Sequence, residues 1–379
     1  MNSIYFTEEH ELFRKSLQDF LQKEVVPHIE KWEKTGAIER FIWKKFGEMG
    51  FFGINYPEAY GGMNLDLFYT VVFLEELQKI KSSGFAAAMW AHAYLAMTHL
   101  NAEGDERIKQ EYLVPSITGD KIGALCVTEP FGGSDVAGMR TTAVKVGNKY
   151  VINGSKTFIT NGWHADLVIV VAKTNPQAGA KGTSLFLVER GMPGFEKGQR
   201  LKKMGLKAQD TSELFFDNVV LNEEQLLGGK ALENKGFICL MEQLPWERLQ
   251  IAIMAVAATQ AAINWTVDYV KQRQVFGQPV AAFQNTRFTL AEAQTKAQVA
   301  QVFVDKCMEL VLVNQLDTAT ASMAKYWTTD LQCKVMDECV QLHGGYGYMW
   351  EYPITRAFAD ARVQRIYGGT NEIMKELIS

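Results

Sequence analysis

The chain has 379 residues, a formal net charge of −4, 47% hydrophobic and 22% charged residues. That length holds two or three packed units around ample cores. The mild negative charge, with Lys and Arg scattered, excludes nucleic acid as the main partner. Five cysteines form no CxxC and six histidines form no HxxxH or HExxH, so neither a disulfide framework nor a metal site is expected. The N-terminal stretch MNSIYFTEEHELF turns acidic early and carries no signal-peptide pattern. The most apolar window, 249–263, is too short to span a bilayer. A soluble protein without membrane insertion is expected, cytoplasmic or, if eukaryotic and processed, in the mitochondrial matrix.

Taken in chain order, Thr7 ahead of Glu8 and Glu9 reads as a helix N-cap. Leu12, Phe13, Leu17, Phe20, Leu21 and Val25 then recur at helical spacing up to Pro27. Helical patterns follow over 39–49, 67–80 and 86–100. The stretch GFAAAMWAHAYLAMTHL at 84–100 is rich in small side chains, which suits either close helix packing or a wall that leaves room for an elongated ligand. Texture changes near Gly123. Short β-rich runs occupy 141–146, 150–153, 156–160, 167–173 and 183–189, and Gly147-Asn148 and Asn153-Gly154 read as hairpin turns between the first three. From about Asn234 the pattern is helical again, with long helices predicted over 247–271, 283–313 and 317–342. The expected organisation is a multidomain α+β chain: an N-terminal helical domain 1–122, a middle β domain 123–233 and a C-terminal helical domain 234–379.

Several motifs could carry chemistry. CVTEPFGGSD (126–135) combines glycines that free the backbone with the hydroxyls of Thr128 and Ser134, a loop able to hold the edge of a planar heterocycle or to form an ordinary turn. KTFITNG (156–162) sets Phe158 and Ile159 beside Thr160 at a strand end. RQVFGQPVAAFQ (273–284) places Arg273, Phe276 and Gln284 near a helix break, and QLHGGYGY and IYGGT bring glycine-rich backbone close together near the C-terminus. Each alone is as readily packing as ligand contact.

Together, CVTEPFGGSDVAG and the later run Gln341, Gly344, Gly345, Gly347, Tyr348, Glu351, Arg356 and Asp360 resemble the paired signatures of the acyl-CoA dehydrogenases. The resemblance covers essentially the whole chain. Through ATASMAKYW, HGGYGYMWEYPI and IYGGTNEIMKELI it is closest to the long-chain branch. It implies a helical domain, a β-barrel-like domain and a C-terminal four-helix bundle, with FAD at their junction, usually a homotetramer, and electron-transferring flavoprotein as partner. Residue by residue, it implies that Val127 and Thr128 meet the flavin ring edge, that Thr160 bonds near its reactive nitrogen, and that Phe158 and Ile159 pack on the ring. Ser134 would meet the thioester or pantetheine end. Arg273, Phe276, Gln284, Gln341, Gly344 and Gly345 would bind the FAD of a neighbouring subunit, and Thr370 and Glu372 would lie by its adenosine-diphosphate portion. Phe158 departs from the tryptophan often found there.

The resemblance also exposes a gap. The usual family base lies in a Tyr-Glu-Gly-Thr turn, and here that turn is Tyr367-Gly368-Gly369-Thr370. LPWERLQIA supplies a substitute. Pro245 reads as a helix start, which puts Glu247 in the first turn, where acids commonly just complement the helix dipole. The long-chain and isovaleryl branches, however, are similar in placing their base at this position. The implied function is FAD-dependent α,β-dehydrogenation of a medium-, long- or branched-chain acyl-CoA to the trans-2-enoyl-CoA, with Glu247 as base and with Arg248, Tyr367 and Gly368 beside the substrate. Glu242 and Glu372 are weaker rival bases. An oxidase using oxygen, or a flavin- or CoA-binding subunit without catalysis, are the alternatives.

Overall fold

The computed structural model describes residues 5–379, so the first four residues of the expected N-terminal unit lie outside it. Helix α1 (Glu8–Phe20) opens on a capping box. Thr7 accepts from the His10 amide, and the His10 ring accepts from the Thr7 amide. The apolar spacing carries the chain on through a π turn (Leu21–Val25) into a short 3-10 turn containing Pro27. Helices α2 (Ile29–Thr35), α3 (Arg40–Glu48) and α4 (Leu67–Gln78) follow. The small-residue stretch forms one composite rod: α5 (Ser83–Trp90), a π-helical segment (Ala91–Ala96) and α6 (Met97–Glu103). Its alanines from Ala86 to Ala96 are buried. A π segment rotates the side chains beyond it to a new face and is found mostly at functional sites.

The middle of the chain is a seven-stranded sheet: β1 (Gly123–Cys126), β2 (Thr142–Val146), β3 (Lys149–Thr160), β4 (Leu167–Lys173), β5 (Thr183–Glu189), β6 (Phe195–Arg200) and β7 (Thr211–Asn222). The order is β1-β4-β2-β3-β7-β6, with β5 paired to β4. Strands β4 and β5 are buried almost throughout, as their unbroken apolar runs require. Gly147-Asn148 is the two-residue turn joining β2 to β3. Asn153-Gly154 is not a turn. It lies inside the long strand β3, where the register against β7 shifts between Ile152 and Gly154. Gly154 has φ +151°, and a Cβ there would lie 2.4 Å from Thr141 Oγ1. A bulge and a tight turn select the same residues, and the continuous partner strand decided between them.

The C-terminal part is a bundle of three long helices, α7 (Gly236–Gln272), α8 (Gln284–Leu312) and α9 (Thr318–His343). The shorter α10 (Pro353–Ala361) and α11 (Asn371–Ile378) pack on α9. Helix α7 begins well before the predicted 247 and runs straight through Pro245. Burial of Cys239 and Leu240 on its first turns outweighs the one amide bond that proline removes. By length and composition α7 is long and apolar enough to cross a membrane, contrary to the short window expected. Yet 78% of that window is buried inside the protein, the pattern of a core helix.

One buried ion pair fastens the 126–135 loop to β3. Lys156 is fully buried, with Nζ 2.8 Å from Glu129 Oε1 and 3.0 Å from the Val127 carbonyl. Glu129 also accepts the amides of Arg140 (2.6 Å) and Thr141 (3.0 Å). Burial works against the Glu129 charge, but Lys156 and those N–H donors outweigh it and hold the carboxyl below its usual range. Removing one partner of such a pair strands the other. Lys156→Met should therefore lower unfolding stability in urea by about 3 kcal/mol, and a loss below about 1 kcal/mol would show that the pair does not anchor the loop.

Candidate active site

Glu247 sits on α7 beyond Pro245 with only 8% of its surface exposed. Because the helix starts at Gly236, this carboxyl is in its interior and not in the first turn as expected, so no helix N-terminus favours its charge. Burial dominates instead. It pushes the carboxyl up to about 7, opposed by His99 and, more weakly, by Arg248.

The turn that lacks the acid faces the same wall. Gly368 has φ +64°, and a Cβ there would lie 2.5 Å from Ile251 Cδ1. Ile251 is one helical turn beyond Glu247, so its side chain fills the space a residue at 368 would need. Two basic side chains hold the turn by hydrogen bonds. Arg248 Nε donates to the Gly368 carbonyl at 3.3 Å, and Lys325 Nζ donates to the Gly369 carbonyl at 2.7 Å and to Asn371 Oδ1 at 3.0 Å. Arg248 is thus buried and engaged with backbone, not paired at the surface. Tyr367 bonds Gln364 at 2.6 Å, and its ring lies 5.8 Å from Trp90. Trp90 in turn donates to Gln250 on α7 at 2.5 Å. Thus Glu247, Ile251, Trp90, Tyr367 and Gly368 line one place, with the alanine-rich rod as a neighbouring wall.

The segments expected at the flavin ring are brought together. The Thr157 amide donates to the Thr128 carbonyl at 2.9 Å, and Lys156 holds the Val127 carbonyl. Phe158 stands 66% exposed at φ +58°, while Ile159 is buried and Thr160 pairs with Thr211. Holding a bulky aromatic in the left-handed region costs energy and marks ligand clamps. Asn161 next to it ties this strand end to the rod through the Ala88 carbonyl at 2.8 Å. The buried Asn161 Oδ1 and Ser212 Oγ find no protein partner among the described residues. An exposed strained ring, hydroxyls and unsatisfied buried acceptors fit a flat polar-edged cofactor such as a flavin. Ser134 lies exposed in the 126–135 loop.

Arg273, Gln341, Gly344 and Gly345 share a groove of about 560 Å³, with the Arg273 guanidinium 5.3 Å from the Tyr346 ring. Nothing lies within 4 Å of a Cβ built on Gly344 or Gly345, so a ligand can approach the bare backbone. Phe276 projects 95% exposed from a small β turn, and Gln284 opens α8, also exposed. Thr370 uses its hydroxyl as the cap of α11, accepting from the Ile373 amide. Glu372 is exposed, as is Glu242, so neither rival base has the buried setting of Glu247. Motif reading passed over Glu129, Lys156, Lys325, Ile251 and His99. All five lie inside quoted stretches: Glu129 in CVTEPFGGSD, Lys156 in KTFITNG, Lys325 in ATASMAKYW, Ile251 in LPWERLQIA and His99 in GFAAAMWAHAYLAMTHL.

Family models match along the chain: the acyl-CoA dehydrogenase N-terminal domain over residues 7–120, the middle domain over 124–219 and the C-terminal domain over 234–379. The chain is 51% identical to the mitochondrial long-chain specific acyl-CoA dehydrogenase of Sus scrofa, across 99% of this chain and 86% of that protein. It superposes on an acyl-CoA dehydrogenase from Geobacillus kaustophilus with a TM-score of 0.96 and 46% identity, covering 100% and 98% of the two chains. It also superposes on a Bacillus anthracis acyl-CoA dehydrogenase complexed with FAD, with a TM-score of 0.92 and 32% identity, covering 100% and 67%. The chain belongs to the acyl-CoA dehydrogenase family, the FAD-dependent oxidoreductases that dehydrogenate acyl-CoA thioesters.

Proposed function

We propose that Glu247 removes the α-proton of a long-chain acyl-CoA, giving the trans-2-enoyl-CoA. The observation that carries this is the buried Glu247 carboxyl, one helical turn from the Ile251 side chain that abuts Gly368. Its pKa, raised by burial to about 7, suits a base working near neutral pH, where proton affinity and the ionised fraction are both useful. Arg248 holds the Gly368 carbonyl and keeps that turn, with Tyr367, off the base; Ser134 meets the thioester or pantetheine end. Donors aimed at the thioester oxygen stabilise charge developing there. The residues that would hold FAD are Val127, Thr128, Phe158, Ile159 and Thr160 of one chain, with Arg273, Phe276, Gln284, Gln341, Gly344 and Gly345 of a neighbouring copy and Thr370 and Glu372 by its adenosine-diphosphate portion. Bound FAD would supply the acceptor for the hydride leaving the β-carbon.

The long-chain preference is supported by the identity to the Sus scrofa enzyme and by the alanine wall of the rod. The placement of four of the proposed cofactor residues, Arg273, Gln341, Gly344 and Gly345, on an open groove supports a homotetramer in which copies complete one another's sites. Electron-transferring flavoprotein is the acceptor, and the setting is the cytoplasm, or the matrix in a eukaryotic cell.

Glu247→Gln should keep FAD and slow anaerobic flavin bleaching by a long-chain acyl-CoA by ~10²–10⁴-fold, and bleaching at the native rate would assign the proton to another residue. A native flavin left oxidised would mark a binding subunit, and peroxide release in air would mark an oxidase. In the native enzyme, bleaching should rise with pH through about 7 as the base ionises; a rate flat from pH 6 to 8 would contradict it. The same burial disfavours ionised Glu247 in the fold. That cost is absent below the ordinary value of 4.5 and complete above about 7. Glu247→Gln should therefore be more stable than the native protein by on the order of 3 kcal/mol at pH 8, with no gain near pH 4. Adding Gly368→Glu to Glu247→Gln should not restore turnover, because Ile251 occupies the space; adding Ile251→Ala as well should restore measurable bleaching. Rescue without the Ile251 change would overturn that steric account.

A further inference from the structure

Asp360 belongs to the C-terminal signature run, yet neither the base nor the cofactor residues account for it. It lies on α10 with 2% of its surface exposed, and both carboxyl oxygens accept backbone amides from other parts of the chain. Oδ1 takes the Leu206 amide at 2.6 Å and Oδ2 takes the Ser83 amide at 3.2 Å. Leu206 lies in the loop between β6 and β7, and Ser83 opens α5 of the rod. Among the described residues no side chain forms an ion pair or hydrogen bond with Asp360. Burial and the Glu33 charge push its carboxyl up to about 7, against the two amides and Arg356. A group so unfavourable to bury is not there for stability alone. What a carboxylate supplies, and an amide side chain cannot, is two acceptor oxygens aimed at two segments.

The three segments meet backbone to backbone at this point. A Cβ on Gly84 would lie 2.9 Å from the Leu206 carbonyl carbon, and one on Gly205 would lie 2.5 Å from that of Ala359. Leu206 itself is held at φ +49°, a region that few residues other than glycine adopt. From Leu206 the connection runs on to the strand end expected at the flavin. Asp210 accepts the Asn161 amide on its carbonyl at 3.1 Å, and its carboxylate takes the Trp163 amide and His164 Nδ1, each at 2.7 Å. Thr211 pairs with Thr160 in the sheet. Asn161 returns to the rod, with Nδ2 2.8 Å from the Ala88 carbonyl. Ala88 and Ser83 lie on the same helix, α5, about 7.5 Å apart along its axis. Hydrogen bonds and short runs of chain therefore close a ring through Asp360, Leu206, Asp210, Asn161, Ala88 and Ser83. It joins the N-terminal helices, the sheet and the C-terminal bundle.

We infer that Asp360 is a positioning residue which, acting through Leu206 and Asp210, fixes the strand end Phe158 to Thr160 relative to the rod. This rests on the reading of Phe158 to Thr160 as the segment that meets the flavin. The rod also carries Trp90, which bonds Gln250 on the helix of Glu247. The ring thus sets the flavin-facing segment and the proposed base in one frame, and a small misplacement of either is felt in the chemical step.

Asp360→Asn tests this at pH 8, where the native carboxyl is ionised. It keeps the shape and one acceptor but turns an NH2 group toward one of the two amides, so the ring opens at one bond. Hydrogen exchange of the holoenzyme, read by mass spectrometry, should quicken over residues 201–211 and also 156–164, with α8 as in the native protein. The visible circular dichroism of the bound flavin should change, and kcat with a long-chain acyl-CoA should fall by ~10-fold or more while KM moves less. Gly205→Ala forces the same contact apart from the other side and leaves Asp360 intact. It should give the same pattern, and it carries the test if Asp360→Asn folds poorly. Faster exchange confined to 83–85 and 203–209, with native flavin dichroism and kcat, would mean that Asp360 only fastens the fold, and the inference fails. Thr160→Val probes the underlying reading. Native dichroism in that variant would overturn the flavin-edge assignment and the inference with it. A changed spectrum there, beside a native one in Asp360→Asn and Gly205→Ala, would overturn the inference alone.

Discussion

An ionisable carboxyl held in an apolar helix wall is the constraint on which the rest of this site depends. Water would stabilise the Glu247 charge; the fold withholds water and so raises the carboxyl toward neutrality. That desolvation disfavours the ionised form in the fold and, in the proposed function, suits the side chain to act as a base. The surroundings make sense as consequences. Ile251 fills the volume a side chain at 368 would need, and Gly368 in turn leaves that volume to it. Arg248 and Lys325 spend their charges on the carbonyls of 368 and 369, fixing a turn that glycine alone would leave loose. In the proposed function the acid at 247, the bare turn at 368 and Ile251 therefore belong together, since a Cβ at 368 would lie 2.5 Å from Ile251 Cδ1.

The cofactor side follows a different physical logic. There the fold supplies rigidity through a buried ion pair, Lys156 with Glu129, which fixes the 126–135 loop to β3 and so registers Val127 and Thr128 against Phe158 to Thr160. Asn161 then ties this strand end to the rod through the Ala88 carbonyl. The segments proposed to meet the cofactor and the helix that carries Glu247 are thus both tied to the same rod, through Ala88 and Trp90.

Much of this was legible in the sequence, and the rest was not for identifiable reasons. Apolar runs such as 167–173 and 183–189 announced buried strands, and helical spacing located the long C-terminal helices. Glu247 stands out as the proposed base only because Gly368 stands where an acid was expected. Its setting was misread: Pro245 looks like a helix start, and only the burial of Cys239 and Leu240 shows that the helix continues around it. Asn153-Gly154 misled for a related reason, since local preference cannot tell a bulge from a turn when the partner strand lies sixty residues away. Ile251, His99 and Lys325 carry no local signal at all. Their meaning lies in what they face across helix pairs, which no spacing along the chain records.

The most direct test of Glu247 as the acceptor of the α-proton separates that step from hydride loss. An acyl-CoA analogue labelled with deuterium at C2 and blocked at C3 can exchange its label with solvent but cannot be oxidised, and NMR follows the label. The account predicts wash-out by the native holoenzyme, rising as Glu247 ionises, and retention of the label by Glu247→Gln with the analogue still bound. Exchange at the native rate in that variant would contradict it.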